Sequence, residues 1–139
     1  MLTWINPNTL NTSGVPYFDI GISAGFPSPT GDFNQSQLSL DDVLIKNKET
    51  TFFARVSGQS MIGAGLNDSD LLVIDRSIAP ENNKIAVCFL NGEFTVKRLK
   101  VKADGVWLQP ENPLYEAIKV TEENNFIVWG IVTNVIKKV

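Results

Sequence analysis

The dipeptide Asn91-Gly92 constrains the fold of this chain more than any other feature. It stands between two runs rich in β-forming residues, Lys84 to Leu90 and Glu93 to Lys100. Asn-Gly suits a two-residue turn, because both central positions need positive φ and the turn's twist then matches that of the paired strands. A hairpin carries a register with it. Across a two-residue turn Leu90 pairs with Glu93, and counting back sets Ala86 opposite Lys97. Thr95 and Leu99 share the Lys97 face, with Cys88 and Ala86 across from them.

Other β signals surround this hairpin. Thr51 to Ser57, Asp70 to Asp75, Val106 to Gln109 and Phe126 to Val135 read as strands. Gly58, Gly63-Ala64-Gly65 and Asn67-Asp68-Ser69 read as turns and loops between them. Many short strands with regular turns predict a mostly β fold, a compact domain built on a rolled β-sheet. One short helix is expected before it. Ser39 is its N-cap, Asp41 and Asp42 fall in the first turn where they suit the helix dipole, and Leu40, Val43 and Leu44 share a face.

Residues 1 to about 35 differ in kind. Asn6-Pro7-Asn8, Asn11-Thr12-Ser13-Gly14-Val15-Pro16 and Ser23-Ala24-Gly25-Phe26-Pro27-Ser28-Pro29 are dense in turn formers and breakers. Pro27 and Pro29 bias their predecessors to extended geometry. The expected organisation is an extended, loosely held N-terminal arm with the short helix over 1–45, then a β domain over 46–139.

Composition removes several classes of function. With 12 basic and 15 acidic residues the formal charge is −3. The basic residues Lys97, Arg98, Lys100 and Lys102 alternate between two faces of one strand. Direct nucleic-acid binding is therefore not expected, since it would need a basic face. The single cysteine, Cys88, forms no internal disulfide, and a reducing compartment fits. Without histidine and with one cysteine, zinc and haem sites of the usual ligand types are excluded, and no cofactor is expected. No apolar run approaches a membrane span and no signal peptide is evident, so the expected location is cytoplasmic.

The absence of histidine also narrows the chemistry. A serine nucleophile needs a base, and here the Ser-His-Asp arrangement is impossible. A deprotonated lysine is the alternative, as in Ser-Lys variants of the triad. Ser60, in Ser57-Gly58-Gln59-Ser60-Met61, and Lys97, in Phe94-Thr95-Val96-Lys97-Arg98-Leu99, form the candidate pair. Ala86, Cys88, Thr95 and Leu99 are small or apolar and none is an acid, so a lysine among them would have a lowered pKa. Taken alone, each residue has a plainer reading: a solvated strand lysine, the commoner case, and a serine in ordinary turn chemistry.

Five segments, in order, change that balance. They are Ala24-Gly25-Phe26-Pro27-Ser28-Pro29, Ser57-Gly58-Gln59-Ser60-Met61 and Asp70-Leu71-Leu72-Val73-Ile74-Asp75, followed by Asn91 to Leu99 and by Leu108-Gln109-Pro110-Glu111-Asn112-Pro113-Leu114-Tyr115. Together they resemble the LexA/UmuD family of self-cleaving serine peptidases over nearly the whole length. The resemblance implies a β peptidase domain of the LexA and signal-peptidase type. It implies Ser60 as nucleophile, Lys97 as general base, and a cut in the chain's own arm between Ala24 and Gly25. Small residues at that bond let the backbone lie close to Ser60, and the proline-rich flank favours an extended substrate strand. The chain departs from the family's pattern at Ser69, where a glycine is usual before the strand at 70–75. Gln59 stands where an acid is frequent, and Ala24 is the LexA-like choice at the cut. The residues before the β domain leave no room for a helix-turn-helix domain, which favours the mutagenesis-subunit branch over the repressors.

That branch implies a role in the bacterial DNA-damage response. Its implied partners are a second copy of the chain in a homodimer, a recombinase filament on single-stranded DNA that stimulates the cut, and the catalytic subunit of a translesion polymerase that takes the trimmed form. The rival readings are an inactive structural accessory subunit, the C-terminal domain of a LexA-type or phage-type repressor, and a signal peptidase, which would need a membrane anchor.

Overall fold

Strands β6 (Ile85–Leu90) and β7 (Glu93–Lys102) form the expected hairpin, with Leu90 opposite Glu93, Cys88 opposite Thr95 and Ala86 opposite Lys97. Asn91 and Gly92 take φ of 50° and 87°, so both sit in the left-handed region that the tight turn demands. Sequence alone fixes this register, because slipping it by one residue would turn every buried side chain of the hairpin to the opposite face.

The structure, a computed structural model, describes residues 2–5, 14–18 and 35–139. Ten strands are present among them. In addition to the hairpin they are β1 (Leu2–Ile5), β2 (Val15–Phe18), β3 (Gln35–Leu38) and β4 (Thr51–Val56). The remainder are β5 (Leu71–Asp75), β8 (Gly105–Gln109), β9 (Ile118–Lys119) and β10 (Phe126–Ile136). Eight form one sheet in the order β1-β4-β5-β10-β6-β7-β8-β9, and β2 and β3 form a separate pair. Every pairing is antiparallel. The mostly β fold with one short helix matches the reading of the sequence.

Four strands escaped that reading: β1, the paired β2 and β3, and β9. Leu2–Ile5, in the stretch read as loosely held, pairs along β4 as an edge strand. Leu, Thr, Trp and Ile are good strand residues, but a run of four is too short to show a period. Likewise β9, two residues long, is held by pairing with β8 rather than by any local pattern.

Sheet order explains where the core lies. β5 contributes Leu72, Val73 and Ile74, all fully buried, so both of its faces are covered. Leu72 and Ile74 pack with Ala54, Met61, Leu66 and Val87, while Ala86, Cys88, Leu99, Leu108 and Ile131 make a second cluster. At about 1.5–3 kcal/mol for each fully buried large aliphatic side chain, these clusters supply the main stabilising term. β10 lies between β5 and β6 and shifts register against both, at Val132/Asn134 and at Val128/Gly130. Such bulges bend a strand, which is how one long strand serves both halves of a rolled sheet.

Helix α1 (Leu40–Leu44) starts after Ser39, which takes the N-cap backbone conformation without a side-chain capping bond. Its apolar face is only partly covered: Leu40 is 58% exposed and Val43 50%, while Leu44 packs against the core. Ile45, just past the helix, is the residue that enters the core, packing with Phe53 and Val73.

Ser69 occupies a left-handed position, φ 72°. Its amide donates to Val56 O at 2.8 Å and its carbonyl accepts from Arg55 Nη1 at 3.0 Å, so the conformation is held from both sides. A β-carbon there costs roughly 1–2 kcal/mol, partly offset in a glycine variant by the greater freedom of the unfolded chain. Ser69→Gly is expected to stabilise the chain by about 0.5–1 kcal/mol. A urea midpoint unchanged or lowered in the glycine variant would contradict this account of the turn.

Candidate active site

Ser60 lies in the turn that follows β4. Met61, the next residue, drives its side chain into the core and anchors the turn. Gly58 N donates to Asp68 Oδ1 at 2.9 Å, and Ala64 N and Leu66 N donate to Met61 O at 3.0 and 3.2 Å. The single turn of 3-10 helix at Ile62–Ala64 tightens this connection. The segment read from sequence as loop is thus closed on itself, with Ser60 half-buried at its head.

Lys97 points to the same place from β7. Although charged at its ordinary pKa, it is buried, with 8% of its surface exposed. Lys97 Nζ lies 3.0 Å from Ser60 Oγ, 2.8 Å from Thr95 Oγ1 and 3.1 Å from Val96 O. These three partners carry no charge. Burial therefore holds the ammonium below its ordinary value of 10.5. The Cys88 thiol beneath it is opposed by the same burial and is pushed up to about 12. It remains neutral over the working range and gives Lys97 no counter-charge. Of the two sequence readings, the solvated strand lysine is overturned: the even-numbered residues Arg98, Lys100 and Lys102 face the other way.

The Ser60 turn is also held from a third direction. Glu111 N donates to Ser60 O at 2.8 Å, Gly63 N donates to Glu111 O at 2.7 Å, and Asn112 Nδ2 donates to Gln59 O at 2.8 Å. Glu111 in turn is bound by Arg98 Nε at 2.5 Å. These residues were seen in the sequence only as part of a resemblance. The signal was Asn112 between Pro110 and Pro113, a polar residue in a proline-stiffened segment.

A small cavity of about 60 Å³ opens beside Ser60, lined by Val56, Met61, Leu66, Phe94 and Val96 among others. A wider cleft of about 290 Å³ shares Phe94 and Thr95 with it and adds Lys97, Tyr115 and Ile118. Such a floor, part apolar and part polar, suits an extended peptide. Ala24 and Gly25, the expected cut site, lie outside the described residues. Among the described residues no three His, Cys, Asp or Glu side chains converge as metal ligands, and no helix is long and apolar enough to cross a membrane.

The comparison with protein-family models matches residues 16–133 to Peptidase S24-like. The chain belongs to the Peptidase S24-like family. That match spans the Ser60 turn, the Lys97 strand and the Pro110–Pro113 segment, and it bears out the resemblance read from the five sequence segments. Among curated members, the chain is 36% identical to Protein MucA of Salmonella typhimurium over 121 residues, 86% of this chain and 82% of that protein. It is 38% identical to Protein ImpA of Escherichia coli over 123 residues, 88% and 83% of the two chains. It is 41% identical to a LexA repressor of Syntrophotalea carbinolica over 86 residues, 62% of this chain but 43% of that one. This S24-like chain thus aligns along most of its length with MucA and ImpA, and with less than half of the repressor.

Proposed function

We propose that this chain is a serine endopeptidase that cuts itself between Ala24 and Gly25, with Ser60 as nucleophile and Lys97 as base. The observation that carries the reading is the 3.0 Å contact between Lys97 Nζ and Ser60 Oγ in a buried site whose other polar partners are neutral. A neutral amine has two N–H donors and one lone pair. Thr95 Oγ1 and Val96 O take the two donors, which leaves the lone pair for the Ser60 hydroxyl proton. The ammonium form has no lone pair and blocks the reaction.

The steps follow. Lys97 Nζ takes the proton as Ser60 Oγ bonds to the Ala24 carbonyl carbon. The negative oxygen that forms is received by the Ser60 N–H, the donor we assign to the oxyanion hole. Lys97 then gives its proton to the Gly25 nitrogen as the C–N bond breaks. Water, deprotonated by the neutral amine so restored, releases residues 1–24 from the ester. The cavity beside Ser60 is the place for the Ala24 methyl group. The scheme applies equally to the chain's own arm and to that of a second copy.

Resemblance to the LexA/UmuD family supports a wider role. The chain acts in SOS mutagenesis in the cytoplasm as a homodimer. A recombinase filament on single-stranded DNA stimulates its cut, and the product serves a translesion polymerase as an accessory subunit. Alignment along most of MucA and ImpA favours this reading over a repressor fragment.

Incubating the full chain at mildly alkaline pH and measuring mass and N-terminal sequence tests the peptidase. The expected product starts at Gly25. A chain that stays intact with and without the filament would identify an inactive accessory subunit instead. A different new N-terminus would refute the assigned bond.

A further inference from the structure

We propose that Asn112 is a positioning residue for the nucleophile, the keystone of a clamp that sets the distance between Ser60 and Lys97. The inference rests on the peptidase reading. Asn112 is buried, with 6% of its surface exposed, and touches neither Lys97 nor the serine hydroxyl through any hydrogen bond described. Its amide works in two directions. Nδ2 donates to Gln59 O at 2.8 Å, on the residue before the nucleophile, and Oδ1 accepts from Leu114 N at 3.0 Å. Asn112 therefore joins the Ser60 turn to the 113–116 segment, whose Tyr115 and Glu116 wall the wider cleft.

The neighbouring contacts make this joint rigid. Pro110 has a fixed φ, and Pro113 confines Asn112 to extended backbone. On one side of Asn112, Glu111 exchanges two backbone hydrogen bonds with the turn, one with Ser60 itself. On the carboxylate side Glu111 is held by Arg98, the residue after Lys97 on β7. The strand that carries the base and the turn that carries the nucleophile are so tied to one common segment. The approach is close enough to require glycine at 63: a β-carbon there would stand 2.6 Å from Glu111 O, a backbone atom that has little room to move.

This arrangement has a chemical purpose. Ser60 sits on a surface turn, and turns of this kind sample more positions than strands do. Reaction requires the hydroxyl to stay within reach of the lone pair, and a misplacement of about 1 Å is enough to slow a reaction by about 100-fold. The Asn112 bond to Gln59 O acts on the backbone one residue from the nucleophile, where a small shift is transmitted directly to Oγ.

The test uses the full chain with Asn112→Asp and Asn112→Ala. Aspartate keeps the size and the acceptor toward Leu114 N but puts an oxygen where the donor to Gln59 O stood. The expected result is a self-cleavage rate lowered about 10- to 100-fold per folded molecule. For Asn112→Ala the pH–rate profile should keep its midpoint and lose height, because the partners of Lys97 are unchanged. A purely structural role would lower the melting temperature and the folded fraction but leave the rate per folded molecule as in wild type. That outcome overturns the proposal, as does a profile for Asn112→Ala that moves along the pH axis at constant height. Gly63→Ala is the second variant, directed at the same clamp from the other side. It should also slow the cut, and a wild-type rate in a folded Gly63→Ala chain would count against the clamp. Failure of the wild-type chain to cut at all would instead sink the peptidase reading, so the two failures are distinguishable.

Discussion

Lys97→Met and Lys97→Arg are expected to abolish self-cleavage at every pH at which the chains remain folded. Methionine supplies no base. Arginine stays protonated and has no lone pair to offer the Ser60 proton. Wild type should cut slowly near pH 7 and faster as pH rises, levelling off above the pKa of Lys97. Burial sets that pKa below 10.5, so the rise should come at lower pH than an exposed lysine would give. The same shift predicts a stability effect of definite sign. Between the folded pKa and the ordinary lysine value, the unfolded chain binds one proton more than the folded chain. Stability of wild type relative to Lys97→Met should therefore rise with pH across that window, by at most about 1.4 kcal/mol per pH unit. Below the folded pKa the difference is constant, and there the wild type bears the full cost of a buried ammonium. A flat pH–rate profile, an active arginine variant, or a wild-type stability that falls against Lys97→Met as pH rises would each remove Lys97 from the role of base.

Ser60→Ala removes the proposed nucleophile and should reduce the cut by at least about 10⁴-fold. The fold should survive, because Met61 and Leu66 anchor the turn, Glu111 and Asn112 hold its backbone, and Lys97 keeps Thr95 and Val96 O as partners. Ser57→Ala is the control. Ser57 lines the same small cavity, yet the serine that Lys97 contacts is Ser60. Mass measurement over time on the three chains gives the answer. Wild-type cutting in Ser60→Ala, or loss of cutting in Ser57→Ala alone, would reassign the nucleophile.

The hairpin and its register were legible in the sequence, because Asn91-Gly92 is a local signal and a strand's period of two converts one turn into a list of opposed residues. Ala86, Cys88, Thr95 and Leu99 around Lys97 came from that count. The lack of histidine left lysine as the candidate base for Ser60 on residue type alone. Burial of Lys97 was not legible. One face of a strand is apolar in either case, and only the segments packed around β7 in the folded sheet decide that Lys97 is buried. The edge strand β1, the β2–β3 pair and the two-residue β9 were missed for a similar reason. Each depends on which surface lies next to it, and local pattern carries no record of that.

The clamp marks the division most clearly. Gly63, Arg98 and the adjacent pair Glu111-Asn112 come from three separate parts of the sequence, and every hydrogen bond that joins the Ser60 turn to the 110–112 segment is a long-range one. Sequence determined which side chains were available for the proposed chemistry and which strand carries Lys97, since both follow from residue type and local period. Tertiary structure decided that Ser60 and Lys97 meet, that the lysine loses its water, and what holds them together, because those depend on which segments the folded sheet brings side by side.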